Sequence, residues 1–115
     1  MVNISGVGGR TPGPEFTIGG SVNAAMLSFT KAMADVGVRD GVQVNAISPG
    51  YVDTPMNSLI WGNDDVKHAF DLGHATGLQT AEEIAAVVVF LASDASSSLT
   101  GAILNCDGGW TAFKQ

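Results

Sequence analysis

The residues Val42-Gln-Val-Asn-Ala-Ile-Ser-Pro-Gly-Tyr-Val-Asp-Thr-Pro-Met56 decide the architecture. Val42 to Ile47 reads as a strand that runs into a sharp turn at Pro49-Gly50. Polar side chains and free backbone groups gather just past the strand's C-terminal end, which in an open parallel α/β sheet is where ligands bind. Upstream the pattern is strand then helix; downstream it is loop, helix, strand. The stretch therefore sits in the middle of a β-α-β-α-β run. The joining helices are long enough for right-handed crossovers, so three adjacent parallel strands are expected.

Working outward, Val2 to Ser5 is short and β-prone, and Gly6 to Gly20 is rich in Gly and Pro and reads as loop. Ser21 or Gly20 opens a helix, with Ser21 read as its N-cap. Val22, Ala25, Met26, Phe29, Ala32, Met33 and Val36 then form one apolar stripe. Gly37 is the expected stop, in the left-handed position after the last turn, and Asp40-Gly41 turns the chain into the Val42 strand. Asn57 to Gln79 shows little periodicity and reads as a long mobile loop with one short helix, a type of segment that usually serves function when it lies inside a compact domain. Thr80-Ala-Glu-Glu83 is a capping box that starts a helix through Ile84, Val87, Val88 and Leu91, ending near Ser93-Asp94. Ala102 to Asn105 is the last buried strand, closed by Asp107-Gly108-Gly109.

The chain has 115 residues, enough for one domain, residues 1–115, and it is 45% hydrophobic and 14% charged, a balance that supports a buried core. Eleven acidic residues against five basic ones give a net charge of -6, which argues against nucleic acid and against an anionic membrane surface. The single cysteine, Cys106, forms no internal disulfide framework and no zinc site, and reads as a reduced thiol in a cytoplasmic protein. Met1 is followed at once by Val-Asn-Ile-Ser, without the basic and apolar regions of a signal peptide. The longest apolar run, Ile84 to Ala92, is about half of a bilayer span.

Several stretches together resemble the C-terminal half of a short-chain dehydrogenase/reductase. They are Val2-Asn-Ile-Ser5, Asn23-Ala-Ala-Met-Leu-Ser-Phe-Thr-Lys-Ala-Met-Ala34, Val42 through Gly50, Val52-Asp-Thr54, the Glu82 to Asp94 helix, and Thr100-Gly101 through Asp107-Gly108-Gly109. They follow the family's order and spacing over nearly the whole chain. The resemblance implies an α/β fold, the C-terminal half of a doubly wound Rossmann-type parallel sheet. It also implies an NAD(P)-dependent oxidoreductase that interconverts carbonyls and alcohols by hydride transfer. Pro49, Gly50, Val52 and Thr54 fall where the family approaches the nicotinamide and the adjoining phosphate, and read equally as the termination of the strand. The family's first half would supply the Gly-rich phosphate turn. Gly6-Val-Gly-Gly9 is followed by Pro12 and Pro14 rather than a helix, and reads as a connector.

In that family a Tyr phenol, its pKa lowered by a nearby Lys, exchanges a proton with the substrate oxygen while a Ser hydroxyl holds it. Alignment on Asn23-Ala-Ala-Met places Asn23 at the Lys position, Gly19 at the Tyr position and Gly6 at the Ser position. Gly has no side chain to donate a proton, and Asn, though able to hydrogen-bond a ribose hydroxyl, is neutral and depresses no phenol's pKa. No catalytic residue is therefore assigned, and retention of NAD(P) through Pro49, Gly50, Val52, Thr54 and Asn23 becomes a separate question. Ser5 reads as a satisfied polar group, on the reasoning that one step along a strand reverses the face. Tyr51 reads as a packing aromatic, Lys31 as a residue at a helix end or surface, and His68 and His74 as solvated loop residues that fit no metal-ligand spacing.

Three readings follow from the residues: an NAD(P)-dependent oxidoreductase represented by its C-terminal part, a non-catalytic oligomerising or binding module, and a truncated relic. Each expects the Val2 to Ser5 strand to present an open edge, which another copy or a complementing N-terminal half would pair. A small-molecule substrate belongs only to the first, and the resemblance further implies a homo-oligomer.

Overall fold

The structure, a computed structural model, describes residues 1–113. Three strands, β1 (Val2–Ile4), β2 (Asn45–Pro49) and β3 (Ile103–Cys106), form one sheet in the order β1-β2-β3. Both pairings are parallel, with Ile4 opposite Ile47 and Ile47 opposite Leu104. Helix α1 (Thr17–Val38) joins the first two strands. The second connection carries α2 (Pro55–Trp61), α3 (Asp64–Gly73) and α4 (Ala81–Ala92), and α5 (Trp110–Phe113) follows the sheet. All five residues of β2 are buried, as expected for the central strand of a covered parallel sheet.

The central strand begins three residues later than expected, because Val42 to Val44 serve other contacts. The Gln43 amide donates to the carbonyls of Ser96 and Leu99, and the Val44 amide donates to the Thr100 hydroxyl. Asn45 then fastens the strand's start to the loop before β3: its Nδ2 donates to the Leu99 carbonyl at 2.9 Å and its Oδ1 accepts from the Ala102 amide at 3.0 Å.

Helix α1 departs from the expectation at both ends and on its face. It starts at Thr17 rather than at Gly20 or Ser21, and Ser21 lies inside it, donating to the Thr17 carbonyl. Gly37 is helical; the left-handed glycine lies beyond the helix end, at Gly41. Much of the apolar stripe points outward, with Val22, Phe29 and Val36 each about half exposed or more. The residues it buries are small or polar: Gly20, Thr30, Ala34 and Gly37. Close approach explains this. A Cβ at Gly37 would lie 2.5 Å from the Val42 carbonyl oxygen, and Asn3 reaches across to donate to the Thr30 hydroxyl.

Two helices replace the expected loop at 57–79. Thr54 caps α2, with Pro55 at its first position, and Asn63 caps α3, whose first turn holds Asp64 and Asp65. The capping box at Thr80 is present in both directions, from the Glu83 amide to the Thr80 hydroxyl and from the Thr80 amide to the Glu83 carboxylate. Among the described residues no helix is long and apolar enough to cross a membrane.

Candidate functional site

The site forms at the C-terminal end of β2, where the chain leaves the sheet through Pro49 and Gly50. Most backbone amides of this turn already have partners. Gly50 donates to the Cys106 carbonyl at 3.1 Å, Tyr51 to Nε2 of His74 at 3.1 Å, and Asp53 to the Gln79 carbonyl at 2.9 Å. The Val52 amide makes no hydrogen bond among the described residues, while its carbonyl accepts from the Asn57 side chain at 2.6 Å. The Thr54 hydroxyl accepts from the Asn57 amide, which leaves its own proton free to donate. The turn thus presents the Val52 amide and, two residues on, the Thr54 hydroxyl as donors without an acceptor among the described residues. Lys67 of α3 pairs with Asp53 at 2.8 Å and lies over the Trp61 ring, so the helical lobe is tied to the same turn.

His74 is the principal correction to the sequence reading. It is 3% exposed rather than solvated. Its Nδ1 lies 2.7 Å from the Phe70 carbonyl and its Nε2 accepts from the Tyr51 amide. A carbonyl only accepts and an amide only donates, so the proton sits on Nδ1. The ring also packs 4.8 Å from Trp110, and Tyr51 contacts Phe70 at 4.4 Å and Trp110 at 5.2 Å. His68 is exposed. Burial pushes the Tyr51 phenol above its ordinary value, the direction opposite to that required of a phenol acting as a base near neutral pH.

Of the three aligned acid–base positions, Gly6 follows β1 and Gly19 and Asn23 lie in α1, and neighbouring side chains fill the space around the two glycines. A Cβ at Gly19 would lie 2.2 Å from the Phe16 ring, and one at Gly6 would lie 2.7 Å from Nδ2 of Asn23. Ser5 donates to the Asn23 carbonyl at 2.9 Å. The face reversal expected between Ser5 and Gly6 does not separate them from the helix, because β1 ends at Ile4 and both residues lie against Asn23. The Asn23 side chain itself makes no hydrogen bond among the described residues.

Asp107 closes the site from β3. Burial raises its pKa, but the Thr111 hydroxyl and the amides of Thr111 and Gly109 all donate to the carboxylate, and the net effect is a value below the ordinary one. The folded form therefore prefers the ionised carboxylate. Its contribution to stability is fully present above the ordinary Asp value of about 3.9 and is lost as pH falls through the lower folded value. We expect Asp107→Asn to flatten the acid limb of a stability–pH curve below about pH 4; an unchanged limb would contradict this. Burial, with the Asp107 charge added, pushes the Cys106 thiol up, so it stays protonated near neutral pH and is a poor nucleophile.

Comparison with known proteins agrees with this geometry. Residues 1–111 match the family model described as enoyl-(acyl carrier protein) reductase. The chain is 38% identical over 111 residues to the 3-oxoacyl-[acyl-carrier-protein] reductase of Chlamydia trachomatis, covering 95% of this chain and 44% of that protein. It is 40% identical over 110 residues to the acetoacetyl-CoA reductase of Allochromatium vinosum, again covering 95% and 44%. Among solved structures, a 4-hydroxyisoleucine dehydrogenase complexed with NADH superposes with a TM-score of 0.90 at 28% identity, over 96% of this chain and 46% of that one. A short-chain type dehydrogenase/reductase from Mycobacterium ulcerans gives 0.89 at 27%, over 96% and 41%.

The fold and its turn are those of a Rossmann-type oxidoreductase half. The chain belongs to the short-chain dehydrogenase/reductase family and corresponds to the C-terminal half of its members. It spans a little under half the length of the relatives it matches.

Proposed function

We propose that this chain holds the nicotinamide end of an NAD(P) cofactor and is impaired in the carbonyl–alcohol chemistry of its family. When bound, the cofactor supplies or accepts a hydride. Pro49 and Gly50 would shape the turn against it, the Val52 amide and the Thr54 hydroxyl would donate to it, and the neutral Asn23 side chain would meet a ribose hydroxyl. The unpartnered Val52 amide and Thr54 proton support the fit, since they are donors facing no acceptor of the protein's own.

The observation that carries the impairment is the filling of the acid–base positions. The Phe16 ring lies within 2.2 Å of where a Gly19 Cβ would be, and the Asn23 amide lies within 2.7 Å of the same point at Gly6. No phenol, ammonium or serine hydroxyl stands at the aligned positions, and Tyr51 titrates in the wrong direction to replace them. The second reading is a non-catalytic module that acts by association, either as a homo-oligomer or with a complementing N-terminal half. The open edge favours it: among the described residues β1 pairs only with β2, and Ile4 is 54% exposed. The outward stripe of Ile18, Val22, Phe29 and Val36 adds apolar surface of the kind that partners cover.

Titration of the purified chain with NADH and NADPH, followed by fluorescence, tests the proposal. Saturable binding without oxidation of the cofactor by a 3-oxoacyl thioester is the expected result. Absence of binding at millimolar cofactor would remove the cofactor reading and leave the module.

A further inference from the structure

Neither the acid–base positions nor the turn accounts for the buried histidine. We propose that His74 is a positioning residue, a two-ended strut that sets the Pro49–Gly50–Val52 turn from helix α3. One end is anchored in α3, where Nδ1 donates to the Phe70 carbonyl at 2.7 Å. The other end holds the Tyr51 amide at 3.1 Å, one residue before the free Val52 amide. An imidazole is rigid, so fixing both nitrogens fixes the distance and angle between the helix and the turn. The bond to the Tyr51 amide is the one that holds the turn, and the bond to the Phe70 carbonyl aims the ring at it.

The surroundings are fitted to this arrangement. A Cβ at Gly50 would lie 2.6 Å from Nε2 of His74, and one at Gly73 would lie 2.1 Å from the Trp110 ring. Gly50 therefore leaves room for the His74 ring and Gly73 for the Trp110 ring that packs beside it at 4.8 Å. Lys67 of α3 pairs with Asp53 across the same gap, giving a second, exposed link. The buried link carries the position, because an exposed ion pair contributes little and is screened by salt. A ligand that tightens on the Val52 amide thus also orders α3, and a ligand that moves α3 alters the turn. The nicotinamide part of this inference rests on the proposed function; the strut itself does not.

Two variants separate the ends of the strut. Asn at position 74 reaches only as far as Nδ1, so His74→Asn keeps the donor to Phe70 and drops the acceptor for Tyr51. Gln reaches the position of Nε2 with its amide oxygen, so His74→Gln keeps that acceptor. We expect hydrogen exchange at the Tyr51 amide of the full chain to accelerate about fivefold or more in His74→Asn. His74→Gln should return it to within about threefold of the native rate, with the amides of Ala46 to Ser48 protected in both. Affinity for reduced nicotinamide mononucleotide, which carries only the nicotinamide half, should weaken in His74→Asn and recover in His74→Gln.

Equal Tyr51 exchange in the two variants would overturn the strut. So would loss of β2 protection in both, which would make His74 a residue of the fold at large. Native exchange behaviour as expected, but no mononucleotide binding by the unmodified chain, would overturn the proposed function and leave the strut standing.

Discussion

Replacing Asn45 by Ala is expected to lower the stability of the chain by about 2–4 kcal/mol. Asn45 is 1% exposed and its side chain makes two hydrogen bonds across the β2–β3 connection. Each such bond contributes about 1 kcal/mol net, and leaving a buried donor unpaired costs about 1–3 kcal/mol. The two partners lose unequally. The Leu99 carbonyl keeps a second donor in Gln43, at 2.8 Å, whereas the Ala102 amide loses the acceptor it has in Asn45. Urea unfolding would show the change as a shifted midpoint at constant slope. A loss under about 0.5 kcal/mol would mean that water replaces the side chain at the Ala102 amide.

Gly50→Ala is expected to cost about 1–3 kcal/mol, the usual range for forcing a methyl into a packed site. Its Cβ would lie 2.6 Å from Nε2 of His74 and 3.0 Å from the Asp107 Cα. The first neighbour is a ring held at both nitrogens and the second is backbone, so neither yields as the tip of a free side chain would. The same substitution should strain the hydrogen bonds of Gly50 to Cys106 and of Tyr51 to His74, and so reduce nicotinamide affinity together with stability. Measuring both in one variant checks the argument: a stable Gly50→Ala chain with native affinity would show that the ring moves aside.

Where the sequence was informative, one local signal sufficed. Thr80 and Glu83 are a reciprocal hydrogen-bonded pair that needs nothing from the rest of the chain, and the helix starts there as expected. The parallel order of the sheet was legible because apolar strands alternate with segments too long for hairpins. The turn at Pro49-Gly50 was legible for the same reason, as a break after an apolar strand.

The failures came where distant parts decide. Gly19 and Gly20 lower helix propensity, yet they lie inside α1 because that helix is held by packing and not by local preference. The apolar stripe of α1 misled because the sheet accepts small residues such as Ala34 and Gly37 at close range, leaving Val22 and Phe29 outside. Thr54-Pro55 and Asn63-Asp64-Asp65 carried helix-start signals that the weak periodicity after Met56 obscured. His74 had no local signal: its burial depends on Tyr51 from the turn and Trp110 from the far end of the chain.

The Phe16 ring and the Asn23 amide have a bearing on how such a chain changes over time. A hollow left by a lost side chain can be refilled step by step as long as it stays empty. Here the Phe16 ring and the Asn23 side chain occupy both points, so a phenol placed at position 19 or a hydroxyl at position 6 meets an occupant first. Both occupants are side-chain tips, and the Phe16 ring is half exposed, so a larger side chain at position 19 can be admitted by turning that ring outward.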